Sequence, residues 1–361
     1  MKKNNFFAIG VMSGTSFDGI DISLISSDGK NYFKPIKSSF YKFQTKTRKK
    51  LIKISANFDD NQYNIGLLDL VEFEITQEYV KALKTFISKN RITKIDLIGI
   101  HGQTIFHNPK KKISIQLCDP KILKNEFNVK IIYDFRQNDL KFGGEGAPLV
   151  PIFHKMLTNY LGLKGNIIFV NLGGVSNLTY VTQRNRFKAY DIGPGMALLD
   201  NYIFLKKKKI FDQGGNFSQK GKINEKILKA VLKDKYFDLR PPKSLDKLYF
   251  SLTPFMSLNF YDACATISSF TANAIIREIN KFKVNKVIVS GGGIKNKFIY
   301  NILRQSLKSK FYLIDEFNLD KDFIESQAFA YLAIRRLKRL PISFPETTGV
   351  AYPISGGKII N

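Results

Sequence analysis

Two stretches of this 361-residue chain share one pattern, in which a buried strand leads into a polar, Gly-containing turn and then into a second strand. The apolar run Phe6–Met12 leads into the turn Ser13–Gly19. Roughly 160 residues later, the run Asn166–Val170 leads into the turn Asn171–Asn177. Turn residues between two strand patterns predict a β-hairpin. A hairpin at the start of each half constrains the fold most, because it indicates two lobes built on one plan.

Strand and helix patterns alternate along the rest of the chain. Apolar residues at spacings of three and four predict a long amphipathic helix from Leu68 to Phe86. Strands that alternate with helices are typical of the α/β class. The other predicted helices are Pro151–Leu161, Met196–Phe204, Tyr261–Phe282, Asp322–Leu337 and one that begins near Lys295. The other predicted strands are Ile95–Ile100, Ser114–Leu117, Val129–Tyr133 and Val287–Ser290.

The length of the chain exceeds what one hydrophobic core usually organises, so two domains are expected. We place the first α/β lobe at residues 1–150 and the second at residues 151–361, with the C-terminal helix closing the second lobe. The stretch Asp238–Asp246, which contains two consecutive prolines, predicts a surface loop.

The chain is strongly basic. Its 57 Lys and Arg residues outnumber 30 Asp and Glu residues, which gives a formal net charge of +27. Proteins that bind nucleic acid share this property, because Lys and Arg neutralise phosphates. Here the lysines are spread over the whole chain, and the densest cluster, Lys206–Lys209, has no helix-turn-helix, zinc-finger or ribonucleoprotein motif beside it. The charge therefore favours a compositional bias with some attraction for anionic ligands, and nucleic-acid binding is the less favoured alternative.

Cysteine usage and hydropathy indicate the compartment. The two cysteines, Cys118 and Cys264, are far apart and show no metal-ligand spacing, which fits a reducing environment. No apolar run approaches the ~20 residues needed to cross a bilayer. The short apolar stretch near the N-terminus is not expected to direct export. We therefore expect a cytoplasmic protein without a membrane partner.

Three Gly-containing turns follow apolar strands and are candidates for binding phosphate: Ser13–Gly19, Leu172–Asn177 and Ser290–Gly293. Gly lets backbone N–H groups approach a phosphate closely. None of the three matches the Walker phosphate loop or the dinucleotide motif Gly-x-Gly-x-x-Gly, and each one alone is more typical of a structural turn. Three such turns at strand ends favour a shared nucleotide, in an arrangement that resembles the actin, hexokinase and Hsp70 superfamily.

A longer series of motifs narrows the resemblance, and it covers essentially the whole chain. The motifs, in chain order, are Gly10–Asp21, His101–His107, Asp134–Arg136, Gly143–Pro151, Asn171–Asn177, Asp191–Gly195, Pro241–Ser244, Ser290–Gly293, Glu325–Ala330 and Thr347–Gly349. The first is the most specific of them. With these motifs in this order, the chain resembles the anhydro-N-acetylmuramic acid kinases.

The resemblance implies an α/β, two-lobed actin-like (ribonuclease H-like) kinase fold with the active site in the cleft between the lobes. It also implies an ATP-dependent enzyme that uses water to open the 1,6-anhydro ring of anhydro-N-acetylmuramic acid and phosphorylates O6. The products are N-acetylmuramic acid 6-phosphate and ADP, in peptidoglycan recycling and amino-sugar catabolism. The expected partners are this sugar and ATP, and a homodimer is left open.

By the same resemblance, Asp191 is the base that activates the water, and Glu325 helps to hold the water or the anhydro oxygen. Arg136 would bind the lactyl carboxylate of the sugar through a bidentate fork that Lys cannot reproduce. The residues expected to bind the sugar are His101, Gln103, Thr104 and Arg136. The residues expected to bind ATP and its phosphates are Ser13, Gly14, Thr15, Ser16, Phe17, Asp18, Gly19, Ile20, Asp21, Gly173, Gly174, Ser176, Asn177, Gly291, Gly292 and Gly293.

Each of these roles has a structural alternative. A carboxylate can act as a base near neutral pH when it is partly desolvated, but Asp191 could instead cap the turn before Gly193. Glu325 could be favoured simply by a helix dipole. Arg136 could be an ordinary surface residue of a basic protein, and His101 a hydrogen-bonded structural residue.

Magnesium bound to the phosphates of ATP is the expected metal. Asp18 and Asp21 are candidates to orient it with its waters, because Mg²⁺ is typically held by few carboxylates and by nucleotide phosphates. The histidines show no metal-ligand spacing, so a zinc site is not expected.

The chain departs from the family pattern at three places. Glu145 replaces a usual Gln, Met196 replaces a common Asn, and Leu245–Asp246 replaces Thr-Gly. These changes bear on the details of substrate binding more than on the fold. A non-catalytic ATP-binding regulator of the same fold remains the alternative function, because fold alone does not fix function.

Overall fold

The computed structural model describes residues 5–56, 58 and 65–361. Its strands are β1 (Phe6–Ser13), β2 (Gly19–Ser27), β3 (Phe33–Lys42), β4 (Leu97–Asn108), β5 (Ile113–Leu117), β6 (Lys130–Tyr133), β7 (Ile167–Leu172), β8 (Val175–Val181), β9 (Phe187–Pro194), β10 (Lys286–Ser290), β11 (Lys310–Leu313) and β12 (Lys358–Ile360). Its α-helices are α1 (Thr45–Ala56), α2 (Ile65–Lys89), α3 (Pro120–Phe127), α4 (Gln137–Lys141), α5 (Pro151–Tyr160), α6 (Ala197–Lys207), α7 (Glu225–Val231), α8 (Phe260–Ile279), α9 (Lys297–Ser306), α10 (Ile324–Leu337) and α11 (Pro345–Thr348). Short 3₁₀ turns lie at Gln213–Gly215, Ser218–Lys220, Lys235–Asp238, Thr253–Phe255, Gly292–Lys295 and Ile314–Phe317.

The chain forms two compact units, each with its own sheet. The first unit contains Met1–Tyr160 and Phe323–Asn361, and the second contains Leu161–Asp322. The first sheet has the order β12-β6-β4-β1-β2-β3, with β5 paired to β4, and the second has the order β11-β10-β7-β8-β9. In both sheets, three consecutive antiparallel strands are followed by parallel strands added beside the first of the three. The repeated plan confirms the predicted α/β fold of two similar halves.

The core of the first unit lies between its sheet and the long helix α2. The alternate residues Ile20, Ile22 and Leu24 of β2 point into this core, where they meet the buried face of α2 around Ile75 and Tyr79. This alternation is expected for a strand with one face on the core. The loop between β1 and β2 is therefore anchored by apolar residues close to both of its ends.

The core of the second unit is built around α8, most of whose residues are buried. One cluster packs this helix against the central strands β7, β9 and β10. A second cluster lies between α6, α8 and the irregular segments that follow α7, and it contains Tyr202, Phe237, Phe255 and Phe270. The aromatic side chains of this cluster give the irregular segments a fixed base.

The C-terminal helix belongs to the first unit, whereas the sequence placed it in the second lobe. Gly10 of β1 and Gly99 of β4 are register partners in the centre of the first sheet. A Cβ at Gly10 would overlap the carbonyl oxygen of Ser326, and a Cβ at Gly99 would lie 2.6 Å from the Cβ of Ala333. The two glycines thus allow α10 to lie directly on the sheet, and this contact joins distant parts of the chain.

Several other elements differ from those predicted. Strand β4 continues to Asn108 beyond the predicted end near Ile100, because it pairs with β6 in its first half and with β5 in its second half. The elements that were not predicted are the strands β3, β9, β11 and β12 and the helices α1, α3, α4, α7 and α11. Within residues 5–56, 58 and 65–361, no helix is both long enough and apolar enough to cross a membrane.

The contact between Gly10 and α10 predicts the effect of a single methyl group. We expect Gly10→Ala to lower the free energy of unfolding by about 1–3 kcal/mol, because the added Cβ overpacks the sheet against the helix backbone. Gly14→Ala is the matched control, since its Cβ would meet nothing closer than Ser16 Oγ at 3.6 Å. Urea denaturation measures both changes, and equal stability of the two variants would contradict the proposed packing.

Candidate active site

The turn between β1 and β2 presents a short polar surface at the end of the first sheet. Thr15, Ser16 and Asp18 are exposed, and Ser16 Oγ donates a hydrogen bond to Asp18 Oδ1 at 2.6 Å. The turn is closed by Phe17 N–H, which donates to the carbonyl oxygen of Gly14 at 3.2 Å. A Cβ at Gly14 would meet nothing closer than Ser16 Oγ at 3.6 Å, so a ligand can approach the backbone at this point.

Three residues of the predicted phosphate site have side chains that face the protein interior. Ser13 Oγ lies 2.9 Å from Tyr79 OH, and Phe17 and Ile20 are buried in the core of the first unit. Phe17 has a φ of 54°, a conformation that is uncommon for a residue other than Gly. These three residues can therefore meet a nucleotide only through their backbone.

Gln103 connects the turn to β4. Its Nε2 donates to the carbonyl oxygen of Gly14 at 3.0 Å, and Ser13 and Gln103 are register partners in β1 and β4. The Oε1 of this buried side chain has no hydrogen-bond partner within the described part of the chain. The adjacent Thr104 is half-buried, and its Oγ1 accepts from Gln116 Nε2 at 3.4 Å.

His101 and Arg136 form a hydrogen-bonded pair in the first unit. His101 Nδ1 lies 2.8 Å from the carbonyl oxygen of Gly102, and His101 Nε2 lies 3.0 Å from Arg136 Nε. Because Arg136 can only donate, the contacts require the neutral tautomer with its proton on Nδ1. Burial, together with the Arg136 guanidinium, holds the pKa of His101 well below its ordinary value. His101 therefore orients Arg136, while its contact with the sugar stays a prediction.

Asp139 is a site residue that the sequence did not reveal. It is fully buried, and its carboxylate accepts from Gly146 N–H at 2.7 Å and from Thr348 Oγ1 at 2.5 Å. Arg136 Nη1 donates to the carbonyl oxygen of the same Gly146 at 2.7 Å. Asp139 thus joins two of the sequence motifs to the loop that holds Arg136. In the sequence, Asp139 is marked just by its position between two motifs. Its segment is too short to give a strong helix pattern, so the burial of this carboxylate could not be predicted.

Glu325 lies in the first turn of α10 and is half-buried. The neighbouring Ser326 is buried, and its Oγ lies 2.7 Å from Ser23 Oγ on β2. The packing of α10 on Gly10 therefore fixes Glu325 relative to the central strands of the first sheet. A position in the first turn also suits a carboxylate electrostatically, because the helix dipole is positive at this end.

In the second unit, three of the predicted Gly segments meet. Met196 N–H donates to the carbonyl oxygen of Gly173 at 2.8 Å, and Gly195 N–H donates to that of Gly174 at 3.1 Å. A Cβ at Gly293 would lie within 2.8 Å of the Leu172 carbonyl oxygen. Gly292, by contrast, is exposed and has open space at its Cβ position. The turn between β7 and β8, the start of α6 and the turn after β10 therefore form one backbone-lined surface.

Asp191 lies at the edge of this surface, on β9. It is the register partner of Asn177 on β8, so two of the predicted site residues are neighbours across the sheet. Leu245 N–H donates to Asp191 Oδ2 at 2.9 Å. Asp191 N–H donates to the carbonyl oxygen of Lys243 at 3.1 Å, and Tyr236 OH donates to the Asp191 carbonyl oxygen at 2.6 Å. Asp191 is thus held at its main chain and at its carboxylate by one loop.

The side chain of Ser176 faces the protein interior, and its role in phosphate binding stays a prediction. It is buried, and its Oγ donates to the carbonyl oxygen of Pro194 at 2.9 Å. This contact fixes the end of β9 near Gly195. The side chain thus has a structural partner. The pairing of β8 with β9 shifts its register between Ser176 and Asn177.

The residues present are compatible with magnesium held mainly by phosphates and water. Among the residues that the structure describes, no group of three or more His, Cys, Asp or Glu side chains could hold a metal ion. The hairpin of β1 and β2 carries two carboxylates, the exposed Asp18 and the half-buried Asp21. Two carboxylates suit Mg²⁺, which keeps several waters and binds nucleotide phosphates, better than they suit a closed protein site.

Comparisons with known proteins identify the family. Component A of (R)-2-hydroxyglutaryl-CoA dehydratase from Acidaminococcus fermentans superposes with a TM-score of 0.47 and 11% identity, covering 92% of this chain and 99% of that chain. The chain is 38% identical over 373 residues to an anhydro-N-acetylmuramic acid kinase from Pelagibacter ubique (strain HTCC1062), with 98% of each covered. It is 37% identical over 359 residues to one from Rhodopseudomonas palustris (strain HaA2), covering 97% of this chain and 98% of the relative. The family model for anhydro-N-acetylmuramic acid kinase matches residues 6–361. The chain belongs to the anhydro-N-acetylmuramic acid kinase family.

Membership of this family confirms the resemblance and the predicted enzyme class, a kinase. At two of the departures from the family pattern, the contact with the site is made by a backbone N–H group. Met196 donates its N–H to Gly173, and Leu245 donates its N–H to Asp191, so neither contact depends on the identity of the side chain. Glu145 likewise donates its N–H to the carbonyl oxygen of Thr348 at 2.7 Å.

The lowered pKa of His107 should make the stability of this kinase depend on pH. Its Nε2 lies 3.0 Å from the Glu145 carbonyl oxygen, and burial, together with Arg136, lowers its pKa from 6.5 to about 4. Between these values the unfolded chain binds a proton that the folded chain does not, so stability is full above pH 6.5 and falls as the pH drops towards 4. We expect His107→Gln to reduce this slope by up to about 1.4 kcal/mol per pH unit.

The measurement is the free energy of unfolding from urea titrations at several pH values between 4 and 7.5, for the wild-type kinase and for His107→Gln. His154, whose pKa burial lowers to about 3, contributes to the same trend in both proteins and so cancels in the comparison. Parallel pH profiles for the two proteins would show that His107 is not held neutral.

Proposed function

We propose that this kinase opens the 1,6-anhydro ring of anhydro-N-acetylmuramic acid with water and transfers the γ-phosphoryl group of ATP to O6. The products are N-acetylmuramic acid 6-phosphate and ADP, and the expected setting is cell-wall recycling in the cytoplasm. The observation that carries the proposal is similarity over nearly the full length to relatives that bear this kinase name. The arrangement of Asp191 and of the Gly-lined turns supports it independently.

Asp191 is the proposed general base. Water attacks the anomeric carbon and gives its proton to Asp191, while the bond between the anomeric carbon and O6 breaks. O6 then forms a bond to the γ-phosphorus, and the bond from that phosphorus to the β,γ-bridging oxygen breaks to release ADP. Asp191 is half-buried, and its Oδ2 accepts from Leu245 N–H, a contact that restricts the orientation of the carboxylate.

The proposed sugar-binding group is Arg136. An Arg guanidinium can bind a carboxylate through two parallel hydrogen bonds, and the lactyl group of the substrate supplies such a carboxylate. His101 and the Gly146 carbonyl oxygen each accept from this guanidinium, and both contacts fix the plane of the fork. Glu325 is proposed to hold the attacking water or the anhydro oxygen.

The proposed phosphate-binding groups are backbone N–H groups in the Gly-lined turns of both units. A Cβ at Gly292 would meet nothing within 4 Å, and one at Gly14 would meet nothing closer than Ser16 Oγ at 3.6 Å, which suits close approach of a nucleotide. When bound, Mg²⁺ would neutralise charge that develops on the transferring phosphoryl group. Asp18 and Asp21 are the residues proposed to orient the waters of that ion.

Replacing Asp191 tests the proposed mechanism. Asp191→Asn keeps the shape and the acceptor for Leu245 N–H but removes the basicity, so sugar phosphorylation and ATP turnover should fall together by about 10²–10⁴-fold. Affinity for ATP and sugar, measured by calorimetry, should be retained. In ¹⁸O-labelled water, mass spectrometry should place the label on the anomeric oxygen. Label in the phosphate, or near-normal turnover of the variant, would rule out this role for Asp191.

A substitution at Arg136 tests how the sugar is recognised. We expect Arg136→Lys to raise KM for the sugar more than KM for ATP, because Lys keeps the charge but loses the bidentate geometry. Steady-state kinetics with each substrate varied in turn gives both constants. An equal rise in the two constants would count against a sugar-specific role. ATP binding without turnover in the wild-type protein would instead favour a non-catalytic regulator.

A further inference from the structure

Lys243 is a buried cation in a segment that otherwise lies at the surface. The neighbouring prolines Pro241 and Pro242 are exposed, but Lys243 is only 6% exposed. The sequence predicted a surface loop here, and a Lys is seldom buried unless its ammonium group has partners. The contacts of this side chain therefore call for an explanation.

The ammonium group of Lys243 has three partners in the second unit. Its Nζ donates to the carbonyl oxygen of Tyr236 at 3.1 Å and lies 4.4 Å from the centre of the Tyr236 ring. It also lies 3.8 Å from Glu278 Oε1, and the side chains of this ion pair are 4% and 1% exposed. Glu278 is on α8, within the core, so the pair ties the loop to a rigid helix.

Glu278 is itself held in place by two further contacts. Tyr190 OH donates to Glu278 Oε2 at 3.2 Å, and Lys281 Nζ lies 2.8 Å from Oε1. Burial lowers the pKa of Lys243, and the carboxylate of Glu278 opposes this effect. The carboxylate is therefore the charge that favours the ammonium form of Lys243.

The residues that surround the Lys243 ammonium group also contact Asp191. The main chain of Lys243 accepts from Asp191 N–H, and Leu245, two residues later, donates to the Asp191 carboxylate. Tyr236 donates its hydroxyl hydrogen to the Asp191 carbonyl oxygen at 2.6 Å. Burial, followed by the charge of Asp191, raises the pKa of Tyr236, so this phenol stays a donor.

Stability alone does not account for this arrangement. Burying an ion pair costs desolvation free energy, and apolar residues of similar volume often stabilise a protein as well or better. A hydrogen-bonded ion pair does, however, impose one position on the loop, which an apolar side chain would do less strictly. The contacts of that loop converge on the one carboxylate with a proposed catalytic role.

We propose that Lys243, Glu278 and Tyr236 form a clasp that positions Asp191 for proton transfer. They are positioning residues, since they act through Asp191, and the inference rests on the proposed role of Asp191 as the base. Loss of the clasp leaves the carboxylate present but lets it move relative to the attacking water. Small displacements of a reacting group can lower the rate by about 10²-fold.

The test combines single variants with an Asp191→Asn background. We expect Lys243→Met to lower kcat by about 10²-fold, and Tyr236→Phe to lower it by about 3–10-fold through loss of one hydrogen bond. KM for the sugar and for ATP should change by less than about twofold, because the clasp acts on the chemical step. Lys229→Met is the control, since Lys229 is an exposed Lys on α7 of the same unit and lies outside the clasp, and its kcat should stay near wild type.

The background separates positioning from general structural damage. In Asp191→Asn, adding Lys243→Met or Tyr236→Phe should cause little further loss of single-turnover rate, because there is no base left to position. Thermal unfolding establishes which variants are folded. If Lys243→Met does not fold, Tyr236→Phe still tests the proposal, because it removes only the hydroxyl group and retains the ring. If the added substitution lowered the rate by the same factor in both backgrounds, or if Tyr236→Phe left kcat unchanged, the proposed clasp alone would be overturned. Near-normal turnover of Asp191→Asn would overturn the assignment of the base, and the clasp with it.

Discussion

The close contact between the C-terminal helix α10 and the centre of the first sheet requires two glycines side by side. Gly10 and Gly99 are register partners, and a Cβ on either would collide with the helix. This contact places Glu325 at the start of the helix beside strands whose ends carry the turn Ser13–Gly19. Close packing of backbone on backbone leaves little room for adjustment, so the position of the helix is set by geometry. The positions of the predicted site residues in the first unit depend on this packing.

Many of the hydrogen bonds that position the candidate site residues come from backbone groups. Leu245 N–H orients Asp191, Met196 N–H fixes the turn at Gly173, and Gly146 contributes both its N–H and its carbonyl oxygen. A backbone donor survives a change of side chain if the loop keeps its path. This explains how the chain departs from the family pattern at Met196 and Leu245 while the contacts of the site remain in place.

The sequence revealed the parts of the fold whose signals are local. Apolar runs followed by Gly turns correctly placed the two hairpins, and spacing of three and four correctly placed α2. The docking of α10 could not be predicted, because Gly10 and Ser326 are far apart in the chain and each glycine looks like an ordinary strand residue. Site residues that sit within motifs were accessible by resemblance, whereas Asp139 lies between two motifs. Lys243 lies within the motif Pro241–Ser244, but no local pattern indicates that its side chain is buried.

The first unit is discontinuous in the chain, and this has a consequence for synthesis. The second unit, Leu161–Asp322, is a single uninterrupted segment, so it can complete its sheet before the end of the chain has been made. The first unit begins earlier but lacks α10 and β12 until residues 324–360 have been made. During translation its central strands would expose the flat surface around Gly10 while the later segment is already folding. The unit that is made first is therefore the unit that is completed last.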